Sequence, residues 1–388
     1  MREVAIVSAV RTAVGKAKKG GFKDTRPDDL LATVLAAAVE RAGIDGSEID
    51  DIVVGTAMPE AEQGMNVARI SAFMAGIPDE VPAVTINRFC SSGLQSIAQG
   101  ASAIMAGWQD VVLAGGVESM TQIAMGGQKP SPNPKLMEER PEAYTPMGIT
   151  AENVAEQFGV SRDQQDAFAV LSNDKAIAAI KAGHFKDEIV PMRTRVFKGG
   201  EWHDVVVDTD EGPRASDVAS LGRLRTPFKA RGTVTAATSS QMSDGAAAAI
   251  IMDRALAEKR GLPILGVLRS YQVVGVPPEI MGVGPLYAIP KALKAAGLTI
   301  EDIDVFEINE AFASQALYCV RELGIDVEKV NPNGGAIALG HPLGATGARM
   351  TATLLYELKR RNARYGVVSM CIGGGMGAAA VYENINAS

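Results

Sequence analysis

An internal repeat constrains this chain more than any other feature. Residues 42–54 read AGIDGSEIDDIVV and residues 296–308 read AGLTIEDIDVFEI, an offset of 254. Each follows an Ala-rich helical stretch, LLATVLAAAVER in one case and AIPKALKA in the other. Each also places Gly just past that helix, where a left-handed cap needs it. The same offset carries Cys90, Ser91, Ser92 and Gly93 onto Gly344, Ala345, Thr346 and Gly347, and the strand VVLAGGV (111–117) onto YGVVSMC (365–371). One register kept that far means two copies of one supersecondary unit. Each copy reads strand, helix, strand, small-residue turn into a helix, strand. The strands IDDIVVG and DVVLAGGV are short apolar runs, the pattern of strands covered by helices on both faces. Right-handed crossovers then stack the copies. The predicted fold class is α/β, two similar halves in a five-layer α-β-α-β-α body.

Residues 120–242 break the repeat. They run through GGQKPSPNPKLMEERPEAYTPMG, a helical SRDQQDAFAVLSNDKAIAAIKAG and an irregular FKGGEWHDVVVDTDEGPR. The segment is too long and too helical for a bare loop, so it reads as an inserted, lid-like loop domain of the kind that grips ligands. The expected organisation is an N-terminal half of residues 1–119 and 243–263, the insert at 120–242, and a C-terminal half at 264–388.

Net charge is −7, which argues against wrapping nucleic acid, a task that needs a basic surface. The opening MREVAIVSAVRT lacks the long apolar core and cleavage site of a secretory leader. No window approaches the roughly 20 apolar residues of a membrane span. The three cysteines, Cys90, Cys319 and Cys371, do not describe a disulfide framework. A reducing, cytoplasmic setting is expected, with thiols free for chemistry.

Cys90 lies in NRFCSSGLQSIAQG, where the chain turns into a helix. A cysteine there meets unpaired N–H groups and the positive dipole end, which favour the thiolate. Against this stands the commonest fate of a free thiol, burial as a small apolar residue. His341 lies in NPNGGAIALGHPLGATGAR, between glycines that permit close backbone approach. It is a candidate base for a cysteine, or else a helix cap. The other histidines, His184 and His203, sit among charges and read as solvated. Cys371 ends an apolar strand in VVSMCIGGGMGAAAVYE. A dinucleotide loop would need a helix after those glycines, so the segment reads as a closing strand hairpin. Asn309, followed by Glu310, falls opposite Gly55 at the carboxyl end of its strand, where α/β sheets place ligand crevices; the alternative is a helix N-cap. These cysteines and histidine lack the close spacing of zinc ligands. Cys319, in QALYCVREL, reads as core.

Four blocks, NRFCSSGLQSI, INEAFASQA, NGGAIALGHPLGATGAR and CIGGGMGAAAV, resemble in order and spacing the signature blocks of the thiolases, and the similarity runs nearly end to end. The resemblance implies a thiolase-like duplicated fold and an acyltransferase, acetyl-CoA C-acyltransferase, that cleaves 3-ketoacyl-CoA through a Cys90 acyl-enzyme. It implies that His341 takes the Cys90 proton and that Cys371 is the acid/base for acetyl-CoA. Asn309 holds a water that forms one oxyanion hole with His341, and the N–H groups of Cys90 and Gly373 form the other. Coenzyme A is implied as co-substrate, with no permanently bound cofactor and no metal. Ser240, Phe228, Arg214 and Met147 are the implied CoA contacts, all on the insert. Implied partners are acyl-CoA and CoA, a second copy in a homodimer or homotetramer, and association with a β-oxidation hydratase/dehydrogenase subunit. Acetoacetyl-CoA-specific members generally carry His-Met-Gly where this chain has Pro146-Met147-Gly148. That difference, with the stretch at 210–214, resembles the degradative thiolases of fatty acid β-oxidation. The rival readings are a biosynthetic acetoacetyl-CoA thiolase, a condensing enzyme acting on carrier-protein thioesters, and an inactive thiolase-like binding subunit. Cys371 argues against the second, and the intact set of Cys90, His341, Asn309 and Cys371 against the third.

Overall fold

A computed structural model describes residues 2–387. The strands are β1 (Val4–Arg11), β2 (Gly15–Lys16), β3 (Asp51–Gly55), β4 (Ala83–Ile86), β5 (Val111–Ser119), β6 (Met192–Lys198), β7 (Glu201–Val207), β8 (Ser243–Asp253), β9 (Gly266–Gly275), β10 (Val305–Ile308), β11 (Tyr365–Ile372) and β12 (Met376–Glu383). The main sheet runs β10-β11-β12-β9-β1-β8-β5-β3-β4, with β2 pairing β8. The two halves join edge to edge through a short antiparallel ladder, Val4–Ile6 against Gly266–Leu268, so the two expected sheet layers form one continuous sheet.

Strand faces alternate between layers, as a period of two demands. Leu113 and Val117 of β5 pack outward with Leu30, Leu31, Val34 and Leu35 of the helix Pro27–Ala42. Val112 and Ala114 pack inward with Leu94, Ile97 and Ile104 of the helix Ser92–Met105. In the second half Val368 and Met370 meet Met350, Leu354 and Leu358 of the helix Leu343–Arg361 in that same central layer. Val367 and Val381 face an outer layer built on Ile289 and Leu293 of the helix Gly284–Ala296. The five-layer order of the sequence reading is present. The caps predicted at the ends of the repeated helices are also present: Gly43 and Gly297 adopt φ of 67° and 71°. Among the described residues no helix is long and apolar enough to cross a membrane.

The repeat offset conceals two compensating length changes. Ile52 bridges Ala83, 31 residues on, whereas its counterpart Phe306 bridges Val330, only 24 residues on. From there Gly93 lies 10 residues past Ala83, but Gly347 lies 17 past Val330. The second copy trims the segment before the strand and lengthens the one after it. The lengthened segment is NPNGGAIALGHP, which carries His341.

The two central helices cross at the symmetry-related glycines. A Cβ on Gly93 would stand 2.7 Å from the Gly344 carbonyl oxygen and 2.9 Å from the Ala348 nitrogen, and one on Gly347 would run into the backbone of Leu94.

The insert corrects one part of the sequence reading. Of the stretch predicted irregular, residues 197–207 belong to the antiparallel hairpin β6–β7, which turns at Gly199 and Gly200 with φ of 64° and 91°, while 208–214 has no regular structure. Two glycines flanked by alternating residues are a hairpin signal in their own right. The predicted helix is present as Arg162–Ala182, with a capping box from Ser161 to Gln164 and Gly183 at its end.

Gly93→Ala forces backbone apart in a packed core and is expected to cost about 2–3 kcal/mol. Gly43→Ala, in open space, carries only the left-handed penalty of about 1 kcal/mol. Urea unfolding of the two variants checks the difference, and equal costs would refute the tight crossing.

Candidate active site

Phe89, Cys90 and Ser91 form a single 3-10 turn between β4 and the helix Ser92–Met105. Phe89 holds a left-handed φ of 43°, and its N–H donates to Asn87 Oδ1 at 2.7 Å. The sharp turn sets Cys90 at the head of the helix, packed among Ala57, Met120 and Leu343 and 8% exposed. Its sulfur is faced by the N–H of Gly373 and by its own N–H. The sequence reading expected a favoured thiolate here, and the resting structure differs. Desolvation by burial pushes the Cys90 thiol up to about 11, the nearby Glu118 charge adds to this, and the two N–H groups only partly oppose it.

Cys371 sits near the end of β11, fully buried beside Met147, Met281 and Phe312. Burial, then the neighbouring Cys90, raises its pKa well above the ordinary thiol value. Gly373 follows directly, at the turn that reverses the chain into β12 as the predicted hairpin. Cys319 is core, as predicted: it is buried, and its thiol donates to Gly282 O at 3.5 Å.

His341 precedes the helix Leu343–Arg361 and caps nothing; Pro342 is the N-cap residue. Burial, with the charge of Arg349 second, lowers its pKa to about 3, so the imidazole is neutral. Nδ1 lies 2.7 Å from Thr346 Oγ1, and Nε2 lies 3.4 Å from Asn309 Nδ2. An amide N–H can approach only a bare ring nitrogen. The tautomer consistent with both neighbours therefore carries its proton on Nδ1, donated to Thr346, and leaves Nε2 free as a base. Asn309 Oδ1 is buried without a protein partner, an acceptor ready for a water or ligand donor. The N-cap alternative for Asn309 fails, because the next helix starts at Ala313 with Phe312 at its N-cap.

Buried polar struts hold these groups, and the sequence reading missed their role. Glu310 accepts from Ser172 Oγ at 2.6 Å, Asn331 Nδ2 at 2.8 Å and Ile337 N at 3.2 Å, fastening the glycine-rich loop to β10 and to the insert. Asn331 also closes on Ile308 N and Ile308 O at 2.8 and 2.9 Å, like an added strand residue. The His341 N–H donates to Gln241 O. Glu118 spans the two halves. Glu310 lies in the INEAFASQA block beside Asn309, whereas Glu118 and Asn331 fall outside the four blocks, and a lone acidic or amide residue was their only signal. His184, taken as solvated, is also part of this scaffold, with Nδ1 2.8 Å from Asn333 Oδ1, whereas His203 is exposed.

The insert residues fall into two groups. Met147 lies beside Cys371 and Gly373. Phe228 packs on Gly148 and meets Phe312 edge-on at 6.2 Å, and Ser240 N–H donates to Ala311 O at 2.9 Å. These three surround the 311–312 segment next to Cys371. Arg214 lies apart on the surface, anchored through its N–H to Asn173 Oδ1 at 3.0 Å with an exposed side chain.

Comparison with known proteins agrees along the whole chain. The family model for the thiolase N-terminal domain matches residues 4–255, and that for the thiolase C-terminal domain matches residues 262–384. The 3-ketoacyl-CoA thiolase of Bacillus subtilis (strain 168) is 56% identical over 389 residues, covering 99% of this chain and 100% of that protein. Two solved structures superpose with TM-scores of 0.90. The dimeric peroxisomal thiolase of Saccharomyces cerevisiae is 47% identical and covers 99% of this chain and 97% of its own. The acetyl-CoA acetyltransferase of Bacillus anthracis is 40% identical, with 99% of each chain covered.

The buried neutral imidazole has a consequence for stability. Its folded pKa, about 3, lies below the ordinary histidine value near 6.5. As pH falls through that window the unfolded chain binds a proton that the folded site refuses, so His341 costs stability progressively. His341→Asn removes this term. Its urea midpoint is expected to rise relative to wild type as pH drops from about 7 to about 4; a constant difference would mean that His341 titrates as if solvated.

Proposed function

Because this chain belongs to the thiolase family, we propose that it cleaves 3-ketoacyl-CoA with free CoA into acetyl-CoA and a shortened acyl-CoA, the thiolytic step of fatty acid β-oxidation. The observation that carries this reading is a pair of buried neighbouring thiols, Cys90 and Cys371, at the junction of the two halves. Cys90 is faced by the N–H groups of Gly373 and of its own residue, while Cys371 is walled by apolar side chains.

The residues divide the chemistry as follows. His341 Nε2 takes the Cys90 proton, and the sulfur adds to the C3 ketone of the substrate. The addition makes an alkoxide, which the N–H groups of Cys90 and Gly373 receive. Collapse re-forms the C3 carbonyl, breaks the C2–C3 bond and leaves the acyl group on Cys90 sulfur. The departing fragment is the enolate of acetyl-CoA. Its oxygen is held by His341 and by a water on Asn309, and its carbon takes the Cys371 proton. Free CoA then enters, gives its thiol proton to the Cys371 thiolate and attacks the acyl-enzyme. Cys90 leaves as thiolate and recovers its proton from His341. Both cysteines end as they began, as a ping-pong cycle requires. Deep burial suits this order of events. Thiol and imidazole rest neutral, and charge is created only when substrate oxygens fill the donors.

Met147, Phe228 and Ser240 act as the CoA-side wall, with residues 120–242 as the domain that presents it. Arg214, exposed at the rim, meets the nucleotide phosphates. Pro146, where acetoacetyl-CoA-specific members carry histidine, favours the degradative subclass over the biosynthetic one. The sheet ends at β4, with Met65, Ile70, Phe73, Met74 and Val84 exposed beside it. An apolar sheet edge of this kind is a pairing surface, and it is assigned to a second copy in a homodimer.

Two measurements test these assignments. Thiolysis of 3-ketodecanoyl-CoA is expected to exceed that of acetoacetyl-CoA in kcat/KM, with Cys90→Ala losing at least about 1000-fold on both. Activity confined to the four-carbon substrate would move the chain to the biosynthetic subclass, and none on either would sink the enzymatic reading. Phe73→Glu is expected to halve the mass of the assembly in light scattering; an unchanged mass would place the interface elsewhere.

A further inference from the structure

Glu118 is fully buried at the end of β5, yet it touches neither thiol and has no part in the proton transfers above. Its carboxylate takes five donors from two halves of the molecule. Oε2 accepts from Ala57 N and Gly344 N, each at 2.8 Å. Oε1 accepts from Gln63 Nε2 at 2.6 Å and from Met58 N and Thr56 Oγ1 at 3.3 Å. Short relays lead from this clamp to both reacting side chains. On one side the Ala57 carbonyl accepts from Asn87 Nδ2 at 3.0 Å, and Asn87 Oδ1 in turn holds the Phe89 N–H of the Cys90 turn. On the other, Gly344 is the second residue of the helix that Leu343 opens, and the Leu343 N–H donates to the His341 carbonyl at 2.9 Å.

We infer that Glu118 is a positioning residue for thiolysis, the ionic clamp that fixes the Cys90 turn against the His341 helix across the boundary between the two halves. Burial pushes the Glu118 carboxyl up, and the donors from Ala57, Gly344, Gln63 and Met58 oppose that shift; the site fits the ionised form because every group facing it is a donor. An amide would keep one acceptor and turn its NH2 against the N–H groups on the other side. Gly344 is required as well, since a Cβ there would stand 2.6 Å from Thr56 Cα and 2.8 Å from Glu118 Oε2. The clamp also places a negative charge near Cys90. Arg88, two residues before that thiol, turns its side chain to Gln95 Oε1, Cys371 in β11 neighbours the thiol, and Glu118 is the group whose charge disfavours the thiolate.

The inference rests on the thiolysis reading, and wild-type turnover tests that reading first. With wild type active, Glu118→Gln is expected to lower kcat at least tenfold while KM for CoA stays within twofold. The same variant should shift the pH midpoint of Cys90 alkylation by iodoacetamide downward, because the opposing charge is gone. Glu118→Asp keeps the charge but shortens the reach. It should lower kcat and leave the alkylation midpoint in place, and it serves as the primary test if the Gln variant fails to fold. A purely structural role would move neither the alkylation midpoint nor the balance between kcat and KM. Wild-type kcat in either variant, or a loss in Glu118→Gln without the alkylation shift, would overturn the assignment.

Discussion

Everything in this molecule depends on how closely its two central helices cross. Gly93 and Gly347 occupy equivalent places in the two copies, and each lies against the backbone of the other helix. That approach puts the head of the Cys90 helix beside the head of the His341 helix. It lets Gly344 N–H reach Glu118 in the other half. It also leaves the central layer thin enough for both sheet faces to share one apolar core, from Ile6 and Val112 to Val368 and Met370. A methyl group at either glycine would separate the halves, and the site lies at the boundary between them.

Burial dominates the electrostatics of that site. A helix start favours a thiolate by a fraction of an elementary charge, whereas complete desolvation acts on the whole charge. The balance leaves Cys90 protonated and His341 neutral at rest. The protonated thiol is protected from adventitious alkylation. The N–H groups of Gly373 and Cys90 that face the sulfur are held in place by the backbone. Thr346 completes the arrangement by keeping the ring proton on Nδ1.

Much of this was legible in the residues. The repeat, the Gly43 and Gly297 caps, the short apolar strands covered on both faces and the closing hairpin follow from period and turn chemistry. Cys90, Asn309, His341 and Cys371 stood out because they fall at strand ends and helix heads of a repeated unit. The protonation state of Cys90 was not legible, because burial is a property of the assembled halves and the helix dipole is visible locally. Glu118, Glu310 and Asn331 were hidden for the same reason. Each looks like an ordinary polar residue until the chain brings its donors together from segments as far apart as Ala57 and Gly344. The β6–β7 hairpin was missed although its signal, the Gly199-Gly200 turn, was local; surrounding charge obscured the alternation.

The repeat also explains why one chain makes one site. The counterpart of Cys90 is Gly344, and a side chain there would collide with Thr56 and with the Glu118 carboxylate. The counterpart of Asn309 is Gly55, where a Cβ would strike Ser92 at the start of the Cys90 helix. The counterpart of Cys371 is Val117, committed to the outer core with Leu30 and Leu35. Each copy therefore gives up, as a close-packing or core residue, the function that the other retains. The lengthened loop in the second copy carries His341 to the head of its central helix, beside Asn309 and Thr346. Two identical halves would have met as rivals for one space at the axis. Gly55, Val117 and Gly344 instead occupy the places that Asn309, Cys371 and Cys90 hold in the opposite copy.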